Sequence, residues 1–241
     1  MSLDYDQASG RTLVGTFGYG ENLFCLDAGG QLLWKVYLPE HEVHAVRWYD
    51  EGKRAVAATA RGWWVFLLAG DSGKVLRKFR GVEWPEMHYS EGAVRTPFTL
   101  QINPALRQII VASRSGLLAV DYEGNRLWFH DLAPEIVTIP QSAEQSGVAP
   151  AFPISASLGN FAFSPDGKRI ALEFYRIMGS AVAPGALRLE DAWAFRPRLL
   201  DAGQGNLLLE NSECPADQFS PSGWRVRWPE NADCLLYTSP S

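Results

Sequence analysis

The chain has 241 residues, with 22 Lys and Arg against 27 Asp and Glu, giving a formal net charge of −5 at pH 7. Hydrophobic residues make up 46%, aromatics 12% and charged residues 20%, a balance that excludes a disordered, collagen-like or disulfide-dense chain. The acidic excess also argues against a nucleic-acid partner, whose phosphates call for a basic surface.

A chain of this length buries roughly 70% of its unfolded surface and needs no covalent staple. Cys25, Cys214 and Cys234 are far apart and lack metal-ligand spacing. They read as free thiols with at most one disulfide, which leaves the compartment open. Asp4 and Asp6 stand where the apolar core of a secretory signal would begin, so no signal peptide is read; a periplasmic or secreted destination would need a longer N-terminus. The longest apolar run, Trp63–Ala69, falls far short of the ~20 residues that span a bilayer, so no membrane span is expected.

In chain order, a turn leading into a strand-like run recurs. It appears as Ser9–Val14, Glu51–Val56, Ala105–Ile110, Ser164–Ala171 and Ser220–Val226. Anchored at residues 10, 52, 106, 167 and 223, the steps are 42, 54, 61 and 56 residues. Between these anchors lies a second signal, an acidic residue and glycine turn before another strand: Asp27–Trp34, Asp71–Leu76, Asp121–Trp128 and Asp201–Leu208. Each repeat therefore carries two hairpins, whose Gly, Asp and Asn supply left-handed or Asx-type turns. The runs between turns, such as Trp63–Leu68 and Ile109–Ala112, are β-branched and aromatic. The best helical candidate, Ala181–Trp193, is broken by Pro184 and Gly185. Four short strands every 40 to 60 residues are the pattern of a β-propeller blade.

The segment Phe163-Ser-Pro-Asp-Gly-Lys-Arg-Ile170 resembles the first hairpin of WD-repeat-like and TolB-like propellers. Leu23-Phe-Cys-Leu-Asp-Ala-Gly-Gly-Gln-Leu-Leu-Trp34 resembles the outer hairpin of pyrroloquinoline-quinone-like (PQQ-like) repeats, and Leu117-Leu-Ala-Val-Asp-Tyr-Glu-Gly-Asn-Arg-Leu-Trp128 agrees with it. The resemblance implies an all-β fold, a β-propeller of four-stranded antiparallel blades, with four to five recognisable and the ring incomplete. The expected organisation is one propeller domain over residues 1–233, with blade starts near 3, 43, 97, 158 and 217. Cys234–Ser241 resembles a translated adapter read-through and is expected to be a non-native tail. The superfamily includes quinoprotein dehydrogenases, lyases and non-catalytic scaffolds, so the resemblance carries fold and not activity.

In such a blade the turns joining strands one to two and three to four lie at one end. Here the long segments are of the other kind: Arg80–Pro97 and Ala133–Ser157 link successive blades, and Tyr175–Asp191 joins strands two and three of the fourth repeat. All three crowd one face, where long loops usually carry function. The candidate ligand- or partner-binding residues there are Trp84, His88, Tyr89 and Arg95, with His41, Arg114 and Tyr175. Aromatic planes beside both signs of charge suit a protein, a carbohydrate or another small ligand.

Catalytic patterns are thin. His41 and His44 are three apart, so a strand points them to opposite faces, and no metal or cofactor is expected. Adjacent cysteines of the quinoprotein kind are missing, and Asp27, Asp71, Asp121 and Asp201 read as turn formers. Gly15–Gly20 is glycine-rich but joins two strands, the wrong place for a phosphate cradle. Trp34 and Trp128 hold equivalent repeat positions and read as packing residues. The leading expectation is a non-catalytic binding or scaffold module; the alternative is a fragment of a propeller lyase, hydrolase or quinoprotein-type enzyme.

Overall fold

The protein's structure, a computed structural model, describes residues 2–39, 42–59, 64–81, 99–113, 116–131, 156–177, 193–210, 225–227 and 236–238. All regular structure among these is β, in four antiparallel four-stranded sheets and one two-stranded ribbon. No helix among them is long and apolar enough to cross a membrane. Sheet one holds β1 (Ser2–Asp6), β2 (Arg11–Gly15), β3 (Leu23–Leu26) and β4 (Leu32–Val36). Sheet two holds β5 (Val43–Tyr49), β6 (Arg54–Thr59), β7 (Trp64–Ala69) and β8 (Val75–Arg80). Sheet three holds β9 (Thr99–Asn103), β10 (Gln108–Ser113), β11 (Gly116–Asp121) and β12 (Arg126–Asp131). Sheet four holds β13 (Ala156–Phe163), β14 (Arg169–Ile177), β15 (Trp193–Asp201) and β16 (Leu207–Glu210). β17 (Arg225–Arg227) pairs with β18 (Leu236–Thr238).

Each four-stranded sheet is a meander, its strands neighbours in space in chain order. The chain divides into two compact units, Met1–Ser113 with Leu117–Phe129 and Arg114–Gly116 with His130–Ser241. In the second, Phe161, Ile170, Leu172 and Leu200 are buried and Phe161 meets Phe163 edge to face at 6.0 Å.

The turns follow the sequence closely. Gly10, Gly52 and Gly167 close the first hairpins of their sheets at positive φ, and Gly30, Gly73, Gly124 and Gly205 close the second. In sheet three the first turn departs from the pattern: Arg107 takes the left-handed conformation, at φ 51°. A side chain there costs backbone energy, offset by the Arg107 guanidinium lying 4.6 Å over the Tyr122 ring and 3.6 Å from Asp50.

The predicted equivalence of the four hairpin acids holds for three. Asp27 Oδ1 accepts the N–H groups of Gly29 and Gln31, both at 2.8 Å. Asp121 Oδ1 accepts those of Glu123 and Asn125, at 3.0 and 2.7 Å, and Asp201 Oδ1 accepts that of Gln204 at 2.8 Å. Asp71 is the correction. In sheet two the equivalent position belongs to Ala69, whose N–H bonds to Lys74 O as that of Asp27 bonds to Gln31 O. Asp71 sits two residues later, exposed, and accepts the Ser72 hydroxyl at 2.9 Å. With Ala69 in the acidic position, backbone bonds from Ala69, Gly70 and Gly73 hold this turn.

Within the first compact unit the core is read from strand alternation. In sheet two, Ala55, Ala57, Phe66 and Leu68 join one apolar cluster with Leu13, Leu23, Cys25 and Trp34 of sheet one. Their chain neighbours Val56, Ala58, Val65 and Leu67 join another with Leu100, Ile109, Val111, Leu118 and Val120 of sheet three. Both faces of sheet two are buried, so β6 and β7 read as unbroken apolar runs. Gly73 is where the first seam closes. A Cβ there would sit 2.6 Å from the Trp34 ring, and its φ of +69° disfavours any side chain. Gly20, by contrast, has nothing within 4 Å of a built Cβ. Gly73→Ala should therefore lower stability by about 2 kcal/mol or more, and Gly20→Ala should leave it nearly unchanged, both read by denaturant unfolding.

Candidate functional site

A meander with an even number of strands receives and releases the chain at one end. In each four-stranded sheet the hairpin turns of strands one to two and three to four lie at one end; among the described residues, 16–22 and 37–39 lie at the other end of sheet one.

Of the residues expected at the site, Trp84, His88, Tyr89, Arg95, His41 and Arg114 lie outside the described residues. Tyr175 is placed differently from its expected position in a long connection. It lies within β14, opposite Ser157 and Phe195, because the strand-forming run Phe174–Ile177 extends the strand to residue 177.

The described part of this end is built on a buried amide. Asn22, fully buried, donates from Nδ2 to Leu38 O and accepts the Leu38 N–H at Oδ1, both at 2.8 Å. Thr16 N–H bonds to Asn22 O at 2.8 Å and Val43 N–H to Thr16 O at 3.0 Å, and Phe17 bridges Glu42. The segment 16–22 is thus clamped to the chain leaving β4 and entering β5, with a Phe-Gly-Tyr-Gly tip at 17–20. Phe17 and Tyr19 are 59% and 81% exposed and meet edge to face, with centroids 6.2 Å apart. Tyr37 is 42% exposed on the adjoining segment.

Polar groups accompany these rings. His44 Nε2 lies 2.7 Å from Glu42 Oε1, both side chains half-buried, and Lys35 pairs with Glu21 at 3.0 Å. Glu21's own backbone N–H and the Lys35 ammonium hold its carboxyl below the ordinary range. Among the described residues no three His, Cys, Asp or Glu side chains converge, so none is assigned as a metal-ligand set. The arrangement offers stacking surfaces beside a carboxylate-paired imidazole, suited to a ligand with apolar faces and hydroxyl or amide groups. The Gly15–Gly20 run was its sequence signal, and exposure of the two aromatics was what the run could not reveal.

The opposite end holds a groove of about 480 Å³ lined by Arg11, Asp50, Glu51, Gly52, Lys53, Arg54, Ala69, Asp71 and Leu76. Its cations are committed. Arg11 donates to Gly70 O at 2.7 Å and Gly52 O at 2.5 Å and lies 4.7 Å over the Trp48 ring. Lys53 pairs with Glu51 at 3.0 Å. Arg54 donates to Tyr122 O at 2.9 Å and approaches Asp50 at 3.8 Å. This groove is the rim of a seam between sheets.

Buried titratable groups also serve the seams. Burial pushes the Tyr49 hydroxyl up to about 12, and the hydroxyl donates to Tyr122 O at 3.3 Å. Burial raises the free Cys25 thiol. It also raises Asp4, against the opposing bond from Trp48 N–H, which Oδ2 accepts at 2.6 Å.

A scan against protein-family models gives no match, and a search of curated proteins gives none either.

Asp121 tests the turn chemistry by pH. Burial acts to raise its carboxyl, but the Asn125 amide and the N–H groups of Asn125 and Glu123 outweigh burial and lower it. A lowered native value means stability present above the unfolded value, near 3.8, and lost as pH falls through the native one. Asp121→Ala should cost about 1 kcal/mol at pH 7, moderated by solvent, with the penalty unchanged down to the unfolded value near 3.8 and shrinking below it. Asp71→Ala should be close to neutral throughout.

Proposed function

We propose that the chain is a β-propeller-type repeat protein of the PQQ-like and WD-repeat-like kind. In this reading it is a non-catalytic binding or scaffold module that contacts a protein or small ligand through the loop-bearing end of its sheets. The observation that carries the reading is the asymmetry between the two ends. At the short-turn end, polar side chains bond to their own turns or to the next sheet. At the other end, Phe17, Tyr19 and Tyr37 present exposed aromatic surface on a clamped backbone. Rigid aromatic groups contribute large contact area at small entropic cost.

The reading is tested with a panel of neutral and acidic hexasaccharides and of unstructured peptides, scored for binding by saturation-transfer NMR and for turnover by product analysis. Binding without turnover is expected, weakened about tenfold by Phe17→Ala with Tyr19→Ala and by alanine at Trp84, His88 and Arg95. Turnover that His44→Gln abolishes would overturn the non-catalytic reading. Binding lost on Lys53→Ala but not on the aromatic substitutions would move the site to the other end.

A further inference from the structure

The outermost strand of each meander pairs on one side only among the described residues, leaving a row of backbone donors and acceptors. In sheets one, two and four this strand bulges at one shared position: the register shifts between Cys25 and Leu26, Leu67 and Leu68, and Leu199 and Leu200. The extra residue is an exposed leucine each time, Leu33, Leu76 and Leu208. Bulges and isolated lysines are ordinary protection for an edge.

β8 goes beyond protection. It carries Arg77, Lys78 and Arg80, preceded by Lys74, with no acid on the strand. β4 has one cation, Lys35, which is paired with Glu21. β12 has Arg126 together with Asp131, and β16 has no cation and ends on Glu210. All four edges need the same protection, so the excess on one requires another cause.

Arg77 is occupied by Glu123 O and Asn125 Oδ1, at 2.9 and 2.8 Å. Lys74, Lys78 and Arg80 have no carboxylate partner among the described residues, although acids outnumber bases in the chain. Lys78 and Arg80 are also held in place. Phe66 lies opposite Lys78 and Trp64 opposite Arg80. The Lys78 ammonium lies 3.7 Å from the Trp64 ring centroid and the Arg80 guanidinium 5.2 Å from it, favourable cation–π geometry. Being two apart, both side chains emerge on one face of the strand, roughly 7 Å from each other.

We propose that β8 is a docking edge for an extended acidic peptide, which adds as a fifth strand along Arg77–Arg80. Its backbone pairs with the free edge, and carboxylates at alternate residues meet Lys78 and Arg80. Strand addition of this kind takes affinity from the main chain and specificity from alternate side chains. The bulge at Leu76 ends the regular edge and fixes the register.

The test is fluorescence anisotropy with the full chain and a labelled eight-residue peptide alternating Glu and Val. Three controls accompany it: the same composition with the Glu residues contiguous, Lys replacing Glu, and N-methylation of alternate residues. The alternating peptide should bind, weaken steeply with salt, and lose at least about tenfold in affinity with each control. Lys78→Gln with Arg80→Gln should cost a similar factor, and Arg126→Gln on β12 should cost none. Equal binding of the N-methylated or contiguous peptide overturns strand addition, as does no binding of the alternating peptide at low salt. If the double variant fails to fold, the peptide series on the unaltered chain decides alone.

Discussion

One interaction sets how sheets stack in the first compact unit: an arginine at the start of a sheet's second strand reaches the carbonyl at the head of the next sheet's outer turn. Arg11 donates to Gly70 O, and Arg54 donates to Tyr122 O. Register makes the donors equivalent, since Arg11 lies opposite Asp6 and Arg54 opposite Tyr49, the last residues of their first strands. The acceptors are equivalent too, each following the residue that opens the turn. A carbonyl turned into a seam needs a donor, because leaving it unpaired costs as much as a lost hydrogen bond. The guanidinium supplies that donor and covers apolar neighbours with its stem.

A second long side chain, from the outer strand, reinforces each seam. Trp34 Nε1 donates to the same Gly70 O at 3.0 Å, and Arg77 donates to Glu123 O. Trp34 pairs with Cys25 and Arg77 with Leu67, again one register position. An indole and a guanidinium solve the same problem because both are broad, flat donors able to cross the outer rim. The glycines beneath them, Gly73 against Trp34 and Gly124 against the Arg77 stem, are the clearances this crossing requires.

Much of the architecture was legible because it is local. Turn glycines, the acids of three second hairpins and the apolar runs of β6, β7, β10 and β11 each write their conformation into a few adjacent residues. The seam donors were not legible. An arginine after a turn, as at Arg11 or Arg54, reads as a solvent-facing charge until the neighbouring sheet is in place. Asp71 was misassigned because Asp-Ser-Gly matched the motif while the turn opens two residues earlier, at Ala69, whose N–H bonds to Lys74 O. At the loop-bearing end, Gly15–Gly20 was legible as a connection. Its exposed rings depend on the Asn22 clamp, a buried amide that meets its partner sixteen residues away.

These seams also constrain the outer turns of the sheets. A turn whose carbonyl accepts from the preceding sheet keeps that carbonyl at its head: Gly70 and Tyr122 each follow the residue that opens the turn, whether it spans 69–74 or 121–125. The outer turns at 27–31, 69–74, 121–125 and 201–206 are all short, spanning five or six residues. The described connection at the opposite end, 16–22, is held instead by the Asn22 amide on Leu38. Within this unit the two ends of a sheet thus differ in duty, a difference that follows from strand parity together with the placement of one arginine.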